Sequence, residues 1–149
     1  WADRQMLKSV RPVDAEHLTR DAGVSFRSLL GTMAHMLGAE KLWLSRFLGH
    51  PDHFVLGPDD FPDLLSWIKA WEENASGIEA FLAGLTDEQL AAPLAWTNLV
   101  GVDHVRPLWQ PILQLVNHSS YHRGQVVSLL RQMGYPAEST DLIKFFAER

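Results

Sequence analysis

Apolar residues recur every three or four positions along three long stretches of the chain, the spacing typical of amphipathic helices. We predict long helices over residues 25–48, 62–85 and 107–133. Residues 1–10 have helical composition but no start signal, and we interpret them as the end of a helix whose beginning is absent. Four helices with apolar stripes predict an all-α fold, a four-helix bundle whose first helix is truncated at its N-terminus.

Residues that start or stop helices delimit these segments. Ser25 can cap the second helix, because its hydroxyl can accept a hydrogen bond from a first-turn N–H, and Pro62 suits the first turn of the third. Gly49 follows the second helix. Gly134 suits the left-handed residue that closes the fourth helix, and Pro136 prevents it from resuming.

The segments between and after the long helices carry their own signals. Some are rich in turn residues, others contain capping residues or alternate loosely between apolar and polar positions. We predict a connection over 11–24 and a loop over 49–60. A short helix begins at the capping box 86–89 and is stopped by Pro93, and an extended hairpin-like excursion follows over 94–106. Ser139 or Thr140 caps a last short helix.

Composition narrows the functional classes. The chain has 149 residues, 46% of them hydrophobic and 21% charged, which indicates one globular domain over 1–149. The absence of cysteine excludes disulfides, a thiolate nucleophile and Cys-ligated metals. The net charge is −5 without a Lys/Arg cluster, so we expect no nucleic-acid partner. No apolar run is long enough for a membrane span and no leader pattern is evident, so we expect a cytoplasmic protein.

Two of the seven histidines are spaced for metal binding. His118 and His122 lie four residues apart on a predicted helix, and therefore on one face, one turn apart. This HxxxH spacing fits either a metal-binding pair or two histidines at the edge of the core. Ser119 stands where zinc peptidases of the HExxH type carry their catalytic Glu, which excludes that design.

A third histidine, His35, lies in the middle of the second helix, flanked by Gly31 and Gly38. Glycine inside a helix costs about 1 kcal/mol relative to alanine, so two of them call for a reason. Small residues here leave room for a neighbouring helix or for a ligand cavity. If the second and fourth helices are neighbours, His35 faces the HxxxH pair, and three ligands leave coordination positions open.

The other four histidines lie in loops or connections. Ligands usually need a rigid element beneath them, so we interpret these side chains as ordinary solvated or hydrogen-bonded histidines. They are His17, His50, His53 and His104.

Several segments of the chain together resemble the DinB/YfiT-like family. They are HMLGAEKLWLSRFLG at 35–49, VNHSSYHRGQVVSLLRQMGYP at 116–136, the closing TDLIKFF and the opening WADRQML. The resemblance implies a four-helix bundle with up-down-down-up topology and a long crossover. It also implies one divalent metal ion, zinc or nickel, held by His35, His118 and His122. Tyr121 replaces a histidine that many relatives carry.

The resemblance leaves three functions open. The first is a metal-dependent transferase that uses a low-molecular-weight thiol, since characterised relatives bind and activate such thiols. The second is a metal-dependent hydrolase, which needs a general base; Glu40 lies off the face of His35. The third is a non-enzymatic bundle that binds a metal or another ligand. For this function we consider a homodimer as well as a single chain. In any of them we expect a small-molecule partner.

For the residues near the predicted ligands, a packing role is the simpler interpretation. For Arg123 we favour an ion pair with a carboxylate on a neighbouring helix over contact with an anionic cosubstrate. The residues that could instead line a pocket are Leu42, Trp43, Ser119 and Tyr121.

Overall fold

A computed structural model of the chain describes residues 1–50 and 55–148. The described part is mostly helical, with one small sheet. No helix in it is both long and apolar enough to cross a membrane. The elements are α1 (Ala2–Val10), α2 (Ala15–Thr19), α3 (Leu29–Phe47), a 3-10 turn (Pro58–Asp60), α4 (Leu64–Ala83), α5 (Asp87–Ala91), β1 (Pro93–Thr97), β2 (Asp103–Pro107), α6 (Trp109–Gln132) and α7 (Leu142–Ala147).

The long helices agree with the predicted segments, but α3 begins later than predicted. Ser28, not Ser25, caps it: the Gly31 N–H donates to the Ser28 hydroxyl at 3.0 Å. The residues before Ser28 form a turn instead, in which Arg27 adopts a φ of 67° and donates its N–H to the Val24 carbonyl at 2.8 Å. Phe26 therefore lies in a loop rather than on the helix.

Three predictions about connections and helix starts are wrong. Residues 11–24 contain α2, which begins because the Asp14 carboxylate accepts the His17 N–H at 2.8 Å. The cap of α4 is Asp63, so Pro62 lies outside the helix. The last helix, α7, has Asp141 at its N-cap rather than Ser139 or Thr140.

The chain is not purely α-helical, because the predicted hairpin-like excursion is a two-stranded antiparallel sheet. Its register runs from Pro93 opposite Pro107 to Thr97 opposite Asp103. The Asn98 side chain accepts two backbone N–H groups across the turn, at 3.1 and 2.9 Å. The capping box at 86–89 is confirmed by the Thr86 and Gln89 bonds, and Gly134 closes α6 with a φ of 83° as predicted.

The hydrophobic core lies among α1, α3, α4 and α6. Helix α3 contacts both α4 and α6, and α1 contacts α6. Burial of these apolar side chains supplies most of the helical stability, since isolated helices of this length are marginal. The most deeply buried core side chains include Met6, Val10, Leu29, Leu30, Met33, Met36, Leu37, Trp67, Val126 and Leu130.

Candidate metal centre

The three predicted histidines meet at the interface between α3 and α6. The Nε2 atoms of His35 and His118 are 3.1 Å apart, and those of His118 and His122 are also 3.1 Å apart. One potential ligand atom from each residue lies within 4.8 Å of the other two. His118 and His122 project from successive turns of α6, and the contact of α3 with α6 brings His35 to them. No other group of three such side chains occurs among the described residues.

Gln125 orients the ring of His122. Its Oε1 lies 2.7 Å from Nδ1 of His122 and accepts that proton, so the lone pair of His122 is at Nε2. Outer partners of this kind fix the tautomer and direction of metal-binding histidines. Gln125 was not predicted as a site residue, although it lies on the face of His122, three residues further along the helix.

The nitrogen atoms of the three rings cannot satisfy one another. With its proton on Nδ1, His122 can only accept at Nε2, so Nε2 of His118 must donate to it. His118 then has no lone pair at Nε2 for His35. One cation bound by all three Nε2 atoms removes this conflict, because each nitrogen directs its lone pair at the ion. The residues present therefore fit a divalent ion that prefers imidazole ligands, such as zinc or nickel.

Electrostatics keep the imidazoles in the form that binds metals. Burial, followed by the influence of His122 and of His118, lowers the pKa of His35 to about 4. Burial, followed by the influence of His122, also lowers the pKa of His118. Metal ligation requires neutral imidazole, and both rings are neutral at pH 7.

The loop before α3 covers the outer side of the cluster. The Phe26 ring stacks on His35, with centroids 3.9 Å apart and planes 13° from parallel, and meets His122 edge-on at 5.4 Å. Gly31 makes this approach feasible, because a Cβ at that position would collide with the Phe26 carbonyl oxygen. A Cβ at Gly38 would meet Leu56 only at ordinary contact distances. Gly31 thus serves close packing beside His35, whereas the contacts of Gly38 do not require a glycine.

Of the four side chains considered as pocket lining, Tyr121 contacts the cluster. Its ring lies edge-on to His122 at 5.0 Å, and it lines a cavity of about 400 Å³ together with Ser25 and Gln125. The others pack elsewhere, as the simpler interpretation predicted: Leu42 is buried, Trp43 packs on Trp96 and Phe47, and Ser119 bonds to Glu40.

Buried polar side chains line the other side of α6. The Ser119 hydroxyl donates to Glu40 Oε1 at 3.1 Å. Burial, followed by the charge of Asp3, raises the pKa of Glu40 to about 8, which favours its protonated form near neutral pH. Arg123 donates to Asp3 at 3.0 Å and to the Ser120 hydroxyl at 2.8 Å. The ion pair predicted for Arg123 is confirmed.

The remaining described histidines lie apart from the cluster. Nδ1 of His17 lies 2.8 Å from Asp14 Oδ2 and 3.0 Å from the Tyr135 hydroxyl. His104 stacks on Trp96 with centroids 5.2 Å apart. His50 is exposed, and His53 lies outside the described residues.

Comparisons with known proteins agree with this fold. The model of the DinB family matches residues 1–148. Protein DinB of Bacillus subtilis (strain 168) is 25% identical over 146 residues, which cover 95% of this chain and 85% of that protein. The crystal structure of a DinB-like protein from Bacillus cereus ATCC 10987 superposes with a TM-score of 0.64 at 20% identity, covering 93% of this chain and 90% of that one, and so supports the fold. The chain belongs to the DinB family.

Proposed function

We propose that the chain binds one divalent metal ion, zinc or nickel, through Nε2 of His35, His118 and His122. The observation that carries the proposal is the convergence of three imidazoles whose Nε2 atoms lie 3.1 Å apart in two of the pairs. At that spacing a shared cation resolves the hydrogen-bonding conflict, and Gln125 already directs one lone pair at the common point.

We further propose that the site serves transfer reactions of a low-molecular-weight thiol. Three protein ligands leave a coordination position for an exogenous group. A bound divalent ion lowers the pKa of a coordinated thiol and so supplies a thiolate at neutral pH. The chain contains no cysteine, so the thiol in this scheme is a small cosubstrate.

The surroundings of Glu40 favour the transferase over the hydrolase. Activation of water for hydrolysis needs a general base whose pKa is matched to the operating pH and which reaches the water. Glu40 is 6% exposed, receives the Ser119 hydroxyl and has a pKa raised to about 8 by burial. Its Oε1 is therefore engaged by Ser119 on the other side of α6, and burial favours its protonated form, which cannot act as a base.

We also propose the up-down-down-up order for the four long helices. Contacts at successive levels support antiparallel α3 and α6, parallel α3 and α4, and parallel α1 and α6. The supporting pairs are His35–His122 and Glu40–Ser119, then Leu44–Gly77 and Phe47–Phe81, then Asp3–Arg123 and Ser9–Glu138, the last just beyond α6.

The test begins with elemental analysis of the purified protein, which we expect to show about one equivalent of a divalent metal. Cobalt is then substituted for that metal, and cellular thiols are added one at a time. Thiolate coordination should produce an intense charge-transfer band, and turnover of an electrophile should require both thiol and metal. Ester or amide hydrolysis without thiol would instead support the hydrolase. If the protein binds metal but shows neither activity, the non-enzymatic binding bundle is the function that remains.

A further inference from the structure

Helix α6 carries two different sets of side chains at the level of the metal centre. His118 and His122 face His35, and the residue after each of them faces another helix. Ser119 contacts Glu40 of α3, and Arg123 contacts Asp3 of α1. We call Asp3, Glu40, Ser119 and Arg123 the polar seam.

We propose that the polar seam positions the metal ligands by fixing the rotation of α6 about its axis. The inference rests on the metal site proposed above and names Glu40 and Arg123 as positioning residues. Successive residues of a helix are about 100° apart. A bond made by Ser119 or Arg123 therefore constrains the direction in which the adjacent histidine points.

The tolerance of a metal site makes such a constraint necessary. Functional groups must be held within about 0.5 Å and 10–20° of the productive geometry. A side-chain atom at the surface of a helix lies about 5–6 Å from its axis. A rotation of about 10° would move that atom by about 1 Å, which exceeds the tolerance.

Burial makes the polar seam costly to break. Glu40 is 6% exposed and Arg123 is 8% exposed, and a buried polar group that loses its partner is not rescued by water. The Arg123 guanidinium joins α6 to α1 through Asp3 and also holds Ser120 of its own helix, at 3.0 and 2.8 Å. Its Nε has no partner within the described part of the chain, so the two terminal nitrogens carry the connection.

The test compares wild-type protein with Glu40→Leu, Arg123→Met and Ser119→Ala. Cobalt affinity is measured by chelator competition, and the ligand-field spectrum is recorded for each. We expect Glu40→Leu and Arg123→Met to bind cobalt about 10–100-fold more weakly, the range typical for supporting residues, and to show an altered spectrum. Glu40→Gln keeps an acceptor for Ser119 and should stay close to wild type. Ser119→Ala, the mildest change, provides a folded variant if Glu40→Leu does not fold.

Ile68→Ala is the matched control, because Ile68 is a buried core residue of α4 that is outside the polar seam. It should lower the melting temperature yet leave cobalt affinity and spectrum unchanged. An equal loss of affinity in Ile68→Ala would show that stability alone explains the effect. Wild-type affinity and spectrum in Ser119→Ala, Arg123→Met and any folded Glu40→Leu protein would overturn the proposal.

A metal-free measurement separates the two proposals. Proton–nitrogen NMR spectra of the imidazole rings should show larger shifts for His118 and His122 in Ser119→Ala and Arg123→Met than in Ile68→Ala. If wild-type protein binds no metal and the polar-seam variants still show these shifts, the proposed metal site is wrong and the positioning role stands. If wild-type protein binds metal but the ring signals stay unmoved in every polar-seam variant, the metal site stands and the positioning role is wrong.

Discussion

Two of the groups of side chains that contain histidine differ in what faces the ring nitrogens. At the metal centre, imidazole nitrogens face other imidazole nitrogens. At the start of α2, Nδ1 of His17 faces the Asp14 carboxylate and the Tyr135 hydroxyl, and that hydroxyl donates to the same carboxylate at 2.8 Å. In the second group, Nδ1 of His17 and the Tyr135 hydroxyl both face the Asp14 carboxylate, whereas in the first group Nε2 of His118 cannot satisfy His122 and His35 at once.

This difference separates a structural histidine from a candidate ligand. Asp14, His17 and Tyr135 form a closed network that joins α2 to the turn after α6 without an ion. At the candidate metal centre, a cation that accepts all three Nε2 lone pairs would remove the conflict among these atoms. Counting protons around each ring is therefore more informative than counting histidines, and the contrast can be tested residue by residue.

The largest expected effect is on metal binding when a ligand is removed. His122→Ala should weaken the affinity for zinc or cobalt by more than about 100-fold, which exceeds the usual loss for a supporting residue. His17→Ala should leave that affinity unchanged. Chelator competition measures both. A full equivalent of metal in a variant with His35, His118 and His122 all replaced by alanine would remove the distinction between the two groups.

Loss of the support of His122 should have the next largest effect. Gln125→Leu deletes the acceptor 2.7 Å from Nδ1 of His122 and should weaken metal binding about 10–100-fold. Gln132→Leu is a suitable control, because Gln132 lies on the same helix, seven residues after Gln125, and lines the same cavity. Equal affinities in the two variants would mean that Gln125 does not set the tautomer.

Much of the site follows from sequence because its strongest signals are local. The HxxxH spacing places His118 and His122 on one face of a helix. The position of His35 in the middle of another helix, together with the family resemblance, identified it as the third candidate ligand. Gln125 has a local signal too, its three-residue spacing from His122. The contact between Glu40 and Ser119 has none, because it depends on how two helices lie against each other.

The fold was predictable to a similar extent, and the difference at the start of α3 occurs where two residues compete for one role. Ser25 and Ser28 can both cap a helix, and the choice depends on the turn in which Arg27 adopts a φ of 67°. A non-glycine residue gives little indication of such a conformation. The same turn directs Phe26 onto His35, so the error at the helix start hid a residue of the site.

Two helical glycines allow the next test, because alanine should have opposite effects at them. A Cβ at Gly124 would meet nothing within 4 Å, so Gly124→Ala should stabilise the protein by up to about 1 kcal/mol through helix propensity. A Cβ at Gly31 would collide with the Phe26 carbonyl, and Gly31→Ala should destabilise it by about 1–3 kcal/mol. Chemical denaturation measures both. Stabilisation by Gly31→Ala would show that the Phe26 loop yields readily, and its contact with His35 would then be weakly held.

The smallest effect is expected in the closed network, from Tyr135→Phe. This change removes a hydroxyl that donates to Asp14 Oδ2 at 2.8 Å, but the His17 N–H still donates to Oδ1 at 2.8 Å. Metal affinity should be unchanged and the melting temperature should fall slightly.

The pKa of Asp14 gives the more sensitive readout of that variant. It lies below its ordinary value of 3.8, chiefly through the backbone N–H of His17 and next through the Tyr135 hydroxyl. A lowered pKa contributes stability that is present above the unfolded value and is lost as the pH falls through the folded value. Tyr135→Phe should therefore raise the pKa of Asp14 and make stability less dependent on pH below about 4, as carbon-detected NMR titration and acid denaturation can measure. An unchanged Asp14 pKa would mean that the hydroxyl does not donate to this carboxylate, and the network around His17 would then be open like the metal centre.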